Sequence, residues 1–139
     1  MDAYGHFQLL RSPMISAVIV SSRYTDEQRR RLEAEWMECI RIGGVLVSPF
    51  ISEAEPSIMK KGIEEGASIV RILPDGLPPK YKPFGRDFDL CMEGRCLHIG
   101  MPRQSARNEK LTRREALELN DIARWIVRNA TSREMSLIL

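Results

Sequence analysis

Residues 45–73, VLVSPFISEAEPSIMKKGIEEGASIVRIL, hold two apolar runs, VLV and SIVRIL, on either side of a charged stretch. Apolar runs of this length, rich in Val and Ile, suit strands buried on both faces, as in a parallel sheet. Parallel neighbours need a crossover. Residues 52–65 supply it, because Ile58, Met59 and Ile63 fall on one helical face and Gly66 stops the pattern. Two starts are open for that helix: Ser52 and Glu55 have capping-box spacing, whereas Pro56 favours the first helical position and would make Glu55 the cap. Either way, Ser48, Pro49 and Phe50 end a buried strand and begin a loop at the carboxyl edge of the sheet.

The same alternation continues in both directions. ISAVIVSS, residues 15–22, reads as the preceding strand. A helix follows, with Thr25 and Gln28 as a capping box and Asp26 and Glu27 in the first turn. Leu32, Trp36, Cys39 and Ile40 share its inner face, and Gly43 and Gly44 end it. Downstream, residues 74–86 form a loop rich in Pro and Gly, a short helix runs from about 88 to 92, and RCLHIGM is a fourth strand stopped by Pro102. Thr112 and Glu115 cap a terminal amphipathic helix over 111–129 with Leu119, Ile122, Ala123 and Ile126 on one side, its WIVRN end being open to reading as a fifth strand. Residues 1–14 read as an irregular lead-in or a short helix. The expected fold is a single α/β domain over 1–139. It is a three-layer, Rossmann-like arrangement with a mainly parallel sheet of four or five strands and helices on both faces.

Composition bounds the function only loosely. Of the 139 residues 43% are apolar and 29% charged, the ordinary balance of a globular domain. The formal charge is only +2, so affinity for nucleic acid has to come from clusters. Arg29, Arg30 and Arg31 form one; Arg103, Arg107, Lys110, Arg113, Arg114, Arg124, Arg128 and Arg133 form another, and both suit solvated helix faces as well. Cys39, Cys91 and Cys96 are odd in number and lack paired spacing, which argues against a disulfide framework and a zinc site and favours a reducing cytoplasm. No apolar run is long enough to span a bilayer, so neither a membrane partner nor export is expected.

In a parallel sheet, ligands sit beyond the carboxyl ends of the strands. Three loops converge there: 21–25, 48–55 and 74–81. The hydroxyls of Ser21, Ser22, Ser48 and Ser52, with helix-start amides, suit a phosphate, and Arg23 supplies countercharge; the same serines also suit plain helix capping. Phe50, Tyr81 and Phe84 stand near Lys80, Lys82 and Arg86, an aromatic and cationic mixture that fits base stacking with phosphate neutralisation. Glu53 and Glu55 fit a helix dipole better than paired acid-base work. Asp75, Asp87 and Asp89 lie in or beside the loop without a defined role, and His98 reads as a packed or edge histidine. No G-x-G-x-x-G, P-loop or G-x-S-x-G motif is present, so no cofactor, metal or nucleophilic centre is expected.

These loops resemble the DNA-processing A (Smf) family, whose domain is in turn related to lysine-decarboxylase-like nucleotide-binding proteins. VIVSSRYT is similar to the family's first strand and G-[ST]-R loop, with Ser21 in the glycine place and Ser22 and Arg23 matching. Ser48 matches the V-S-G turn, Pro49 replaces its glycine, and Glu55 stands near the Asp of G-I-D. PDGLPPKYKP resembles the family's G-hydrophobic-x-x-x-Y-P stretch through Gly76, Leu77, Tyr81 and Pro83. GRCLHIGMP is similar to the fourth strand, and the family R-N pair falls on Arg107 and Asn108 or on Asn120. The resemblance spans about residues 16–128 and implies binding of single-stranded nucleic acid or a nucleotide, with a part in DNA recombination. Two alternatives stand beside it. One is a nucleotide-cleaving phosphoribohydrolase, although the P-G-G-x-G-T-x-x-E signature of such relatives is missing; the other is a structural domain that self-associates into a homo-oligomer through its terminal helix.

Overall fold

The computed structural model describes residues 2–102 and 111–130. The expectations for Arg103, Arg107, Asn108, Lys110 and Arg133 fall outside them. Five strands, β1 (Asp2–Gly5), β2 (Ile15–Ala17), β3 (Val45–Ser48), β4 (Ser68–Leu73) and β5 (Cys96–Gly100), form one sheet in the order β1-β5-β4-β3-β2. Four helices accompany them: α1 (Asp26–Arg41), α2 (Glu55–Glu64), α3 (Arg86–Met92) and α4 (Arg113–Asn129). β2 to β5 are mutually parallel, and β1 runs antiparallel beside β5. The chain is therefore α/β, with a five-stranded and mostly parallel sheet.

Side-chain alternation along the strands divides the core in two. Leu46, Ile69 and Cys96 point to one face, where they meet Trp36, Cys39 and Ile40 of α1, Ile63 of α2, and Leu90 and Cys91 of α3. Val45, Val47, Val70, Ile72, Leu97 and Ile99 point to the other, where Leu119, Ala123 and Ile126 of α4 cover them with Leu10 of a 3-10 turn over Phe7–Arg11. All three crossover helices thus share one face. The parallel strands advance in one direction with no reversal of order, so the sheet lacks the switch-point crevice of doubly wound folds.

Several elements follow from their local chemistry. Both capping boxes form: Thr25 with Gln28 at α1, and Thr112 with Glu115 at α4. WIVRN is helical, since its Trp125, Ile126 and Val127 continue the apolar stripe of α4. The Nε1–H of buried Trp36 donates to the Ala17 carbonyl at 2.9 Å and pins α1 to β2.

Two elements differ from expectation. The lead-in contains β1 as an edge strand, which is possible because Gly5 (φ 120) passes so close to the Cys96 carbonyl that any Cβ would collide with it. The strand expected over 15–22 is regular only over Ile15–Ala17. Val18 still donates to Val47 at 2.9 Å, but the Val20 N–H turns away to a carboxylate, and an edge strand has no second neighbour to hold it in line. No helix among the described residues is long and apolar enough to cross a membrane.

Candidate functional site

A polar row crosses the sheet on its α2/α3 side. Register aligns Ser48 with Arg71, Arg71 with His98, and His98 with Tyr4. A charged side chain in the middle of a central strand must find partners, since burying it unpaired is prohibitive. Arg71 finds three. Its Nε donates to Asp87 Oδ2 at 2.8 Å and its second terminal nitrogen to Oδ1 at 3.3 Å, Asp87 being brought there by the first turn of α3. Its guanidinium also lies 5.4 Å from the centroid of the Phe50 ring, a cation–π contact. Phe50 reaches that position through a left-handed backbone (φ 51), which the buried Ser48 hydroxyl supports by accepting the Phe50 N–H at 2.9 Å.

Asp87 has a second donor. His98 Nε2 lies 2.6 Å from Asp87 Oδ2, and His98 Nδ1 lies 2.7 Å from the Tyr81 hydroxyl. Burial by itself would raise the Asp87 pKa, but the hydrogen bonds from His98 and Arg71 outweigh it and bring the value down to about 2. Ionised Asp87 only accepts, so Nε2 carries the proton; in the neutral ring Nδ1 then accepts from the Tyr81 O–H. Tyr81 also meets Tyr4 edge to face, with centroids 5.8 Å apart. Burial, and next the Asp87 charge, push the Tyr81 phenol above its ordinary pKa.

Glu55 does different work. It is 1% exposed, and its carboxylate accepts from Val20 N–H at 2.8 Å through one oxygen and from Ile51 and Ser52 N–H at 3.2 and 3.3 Å through the other. Ser52 returns the bond by accepting from Glu55 N–H at 3.3 Å, but neither expected helix start is adopted: α2 begins at Glu55 itself, Ala54 is its N-cap without a side-chain bond, and Pro56 takes the second helical position, so the Ser52/Glu55 pair closes the loop ahead of the helix. This one side chain ties the loop after β2 to the loop after β3.

The loop after β4 folds back over the sheet edge. Leu77 N–H donates to Asp2 at 3.2 Å, and the backbone of Asp75 lies where a side chain at Gly100 would go. Leu77, Lys80 and Tyr81, with Asp2, Tyr4 and Phe7 of the lead-in, line an open cavity of about 520 Å3. Lys80 adopts φ 60, a left-handed conformation unusual for lysine. Beyond Tyr81, Pro83 is buried and Phe84 is 97% exposed, between exposed Lys82 and Arg86.

The residues expected at the site therefore separate. Ser48, Phe50 and Tyr81 join one chain of contacts through Arg71, Asp87 and His98. Phe50 is only 5% exposed and Ser48 is fully buried, which takes the Phe50 ring away from any stacking ligand. Ser52 and Glu55 bond each other and neighbouring backbone. Ser21 accepts from Arg23 N–H at 3.1 Å, while the Ser22 and Arg23 side chains face solvent, away from the lining of the 520 Å3 cavity. Lys80 and Tyr81 line that cavity, Gly76 packs near Asp2 at its margin, and Lys82 and Arg86 are exposed on the same loop.

The residues that sequence reasoning passed over are Arg71, Asp87 and His98. A signal for two of them was present: Arg71 and His98 are the polar interruptions of SIVRIL and CLHIG, and both fall on the face opposite their apolar neighbours.

One metal-type grouping occurs among the described residues, with ligand atoms of Asp87, Cys96 and His98 within 4.8 Å of one another. The donors do not fit a cation. Both His98 nitrogens and both Asp87 oxygens are already engaged, Arg71 adds a fixed positive charge, and burial drives the Cys96 thiol far from ionisation. A scan against protein-family models, a search of curated proteins and a search of solved structures find no match to this chain.

Proposed function

We propose that the chain is a Rossmann-like module of the DNA-processing A type that binds single-stranded nucleic acid, or a nucleotide as its smallest unit, on the loop over residues 80–86. The observation that carries this reading is Phe84, a ring 97% exposed between two exposed cations. A phenylalanine gains nothing from water, whereas a base stacked on it contributes about 1–3 kcal/mol. Lys80, Lys82 and Arg86 neutralise phosphates on either side, and the cavity beside Tyr81 is of the size that holds one nucleotide. We place the protein in the cytoplasm, where its three cysteines, all buried and unpaired, stay reduced.

Fluorescence anisotropy of a labelled oligonucleotide across a salt series tests the reading. Three phosphate contacts on a single strand give a slope of about −2 in log K against log salt, and Lys82→Gln or Arg86→Gln flattens it by about 0.7 each. The absence of any complex at low salt, or affinity indifferent to salt, would refute it.

A further inference from the structure

The Asp87–His98–Tyr81 chain has a direction. Arg71 fixes Asp87, Asp87 fixes the imidazole through Nε2, and Nδ1 is left 2.7 Å from a hydroxyl. This is the order orienter, base, nucleophile that activates hydroxyls in covalent catalysis. Exposure divides the chain sharply. The side chains of His98 and Asp87 are 4% and 13% accessible, and of the three residues only Tyr81 lines the 520 Å3 cavity. A ligand there meets the tyrosine, while the proton has a route inward.

Lys80 lines the same cavity, held beside Tyr81 by its left-handed backbone. Such backbone strain concentrates where side chains must be aimed at a ligand. Because burial and the Asp87 charge keep the phenol neutral, Tyr81 needs a base to act as a nucleophile, and Nδ1 is placed to be one.

We propose that Tyr81 attacks a phosphodiester of a strand bound on the 80–86 loop and forms a covalent phosphotyrosine, an inference that rests on the nucleic-acid reading above. Tyr81 Oη forms a bond to phosphorus, and one phosphorus–oxygen bond to a sugar breaks, its electron pair leaving on that sugar oxygen. The phenol proton passes to His98 Nδ1, which holds it until rejoining returns it to the phenol, and the departing oxygen, in line on the far side of phosphorus, takes a proton from solvent. Asp87 stabilises the imidazolium in between, and Lys80 meets the charge that builds on the phosphoryl oxygens. One phosphate ester is exchanged for another, so no oxidant or cofactor enters the balance and the strand can be rejoined. Tyr81 and His98 are the catalytic residues; Asp87 and Arg71 are positioning residues.

The test uses the full chain and oligonucleotides with one bridging phosphorothiolate, the sulfur on either the 3′ or the 5′ side, because a thiol leaving group prevents rejoining. The expected result is a protein–strand adduct on a denaturing gel, mapped to Tyr81 by mass spectrometry. Tyr81→Phe gives no adduct even at oligonucleotide concentrations that saturate it by anisotropy, because only the hydroxyl is removed. His98→Gln slows adduct formation about 10²–10⁴-fold and makes the remaining rate climb with pH, since hydroxide must then remove the proton. Melting curves check that both variants fold, and Tyr81→Phe decides alone if His98→Gln does not. Strand binding without an adduct, or an adduct that survives Tyr81→Phe, overturns the proposal and leaves the binding reading standing. A chain that binds no strand overturns both.

Discussion

Replacing Glu55 by Gln keeps its size and removes its charge. One carboxylate oxygen serves Val20 N–H and the other serves Ile51 and Ser52 N–H, so an amide can satisfy one side only. Whichever way it turns, its NH2 group faces at least one backbone N–H, donor against donor, at a residue 1% exposed. A hydrogen bond to a charged group contributes about 1.5–3 kcal/mol, and a stranded buried donor costs about 1–3 kcal/mol. The loss is therefore about 3 kcal/mol out of a total stability of about 5–15 kcal/mol. For a chain of 139 residues the unfolding entropy is about 0.3 kcal/mol per degree, which converts that loss into about 10 °C of melting temperature. Urea titration and thermal melting at neutral pH measure it, with exposed Glu53→Gln as the control. A loss below about 1 kcal/mol in Glu55→Gln, or an equal loss in Glu53→Gln, would refute the assignment of Glu55 as the tie between the two loops.

Phe84→Ala weakens oligonucleotide binding by about 1–3 kcal/mol in anisotropy and leaves the urea midpoint nearly unchanged, because an exposed ring contributes little to the fold. Asp87 sets an acid limit on stability. Its folded pKa of about 2 lies below the ordinary 3.8, so about 2 kcal/mol of stabilisation is present above pH 4 and is lost as pH falls from 4 through 2. In urea titrations the gap between the wild type and Asp87→Asn narrows over that window; a gap independent of pH counts against the depressed value. Gly100→Ala puts a methyl 2.7 Å from the Asp75 carbonyl and 3.0 Å from Leu77, which costs about 1–3 kcal/mol and displaces the loop that carries Tyr81. Both stability and strand binding fall; wild-type behaviour in that variant shows that the loop does not need the close approach.

Helices and parallel strands were legible because their signals are local. Thr25 with Gln28, Thr112 with Glu115, and the apolar period of each helix are set within a few residues of the chain. β1 was hidden because Asp2–Gly5 has no strand pattern of its own and is recruited by Cys96–Gly100, almost a hundred residues away. The limit of β2 was hidden for the same reason, its end being decided by Glu55 on another element. The candidate site was legible in part. Lys80, Tyr81, Lys82 and Arg86 announced themselves by composition, and Glu55 by its place at a helix start. The Arg71–Asp87–His98 connection depends on strand register and on where α3 docks, and no short stretch of sequence carries either. Phe50 illustrates the opposite error: an aromatic in a loop, it is buried beneath Arg71 by the left-handed turn after Ser48.

Backbone amide chemical shifts of the isotope-labelled chain, followed as a single-stranded oligonucleotide is added at low salt, test the central claim most directly. The account predicts that the largest changes fall on residues 76–86, with smaller ones at Tyr4 and His98. Changes centred on the Arg113–Asn129 helix or on Ser21–Arg23, or no changes at all, would contradict it.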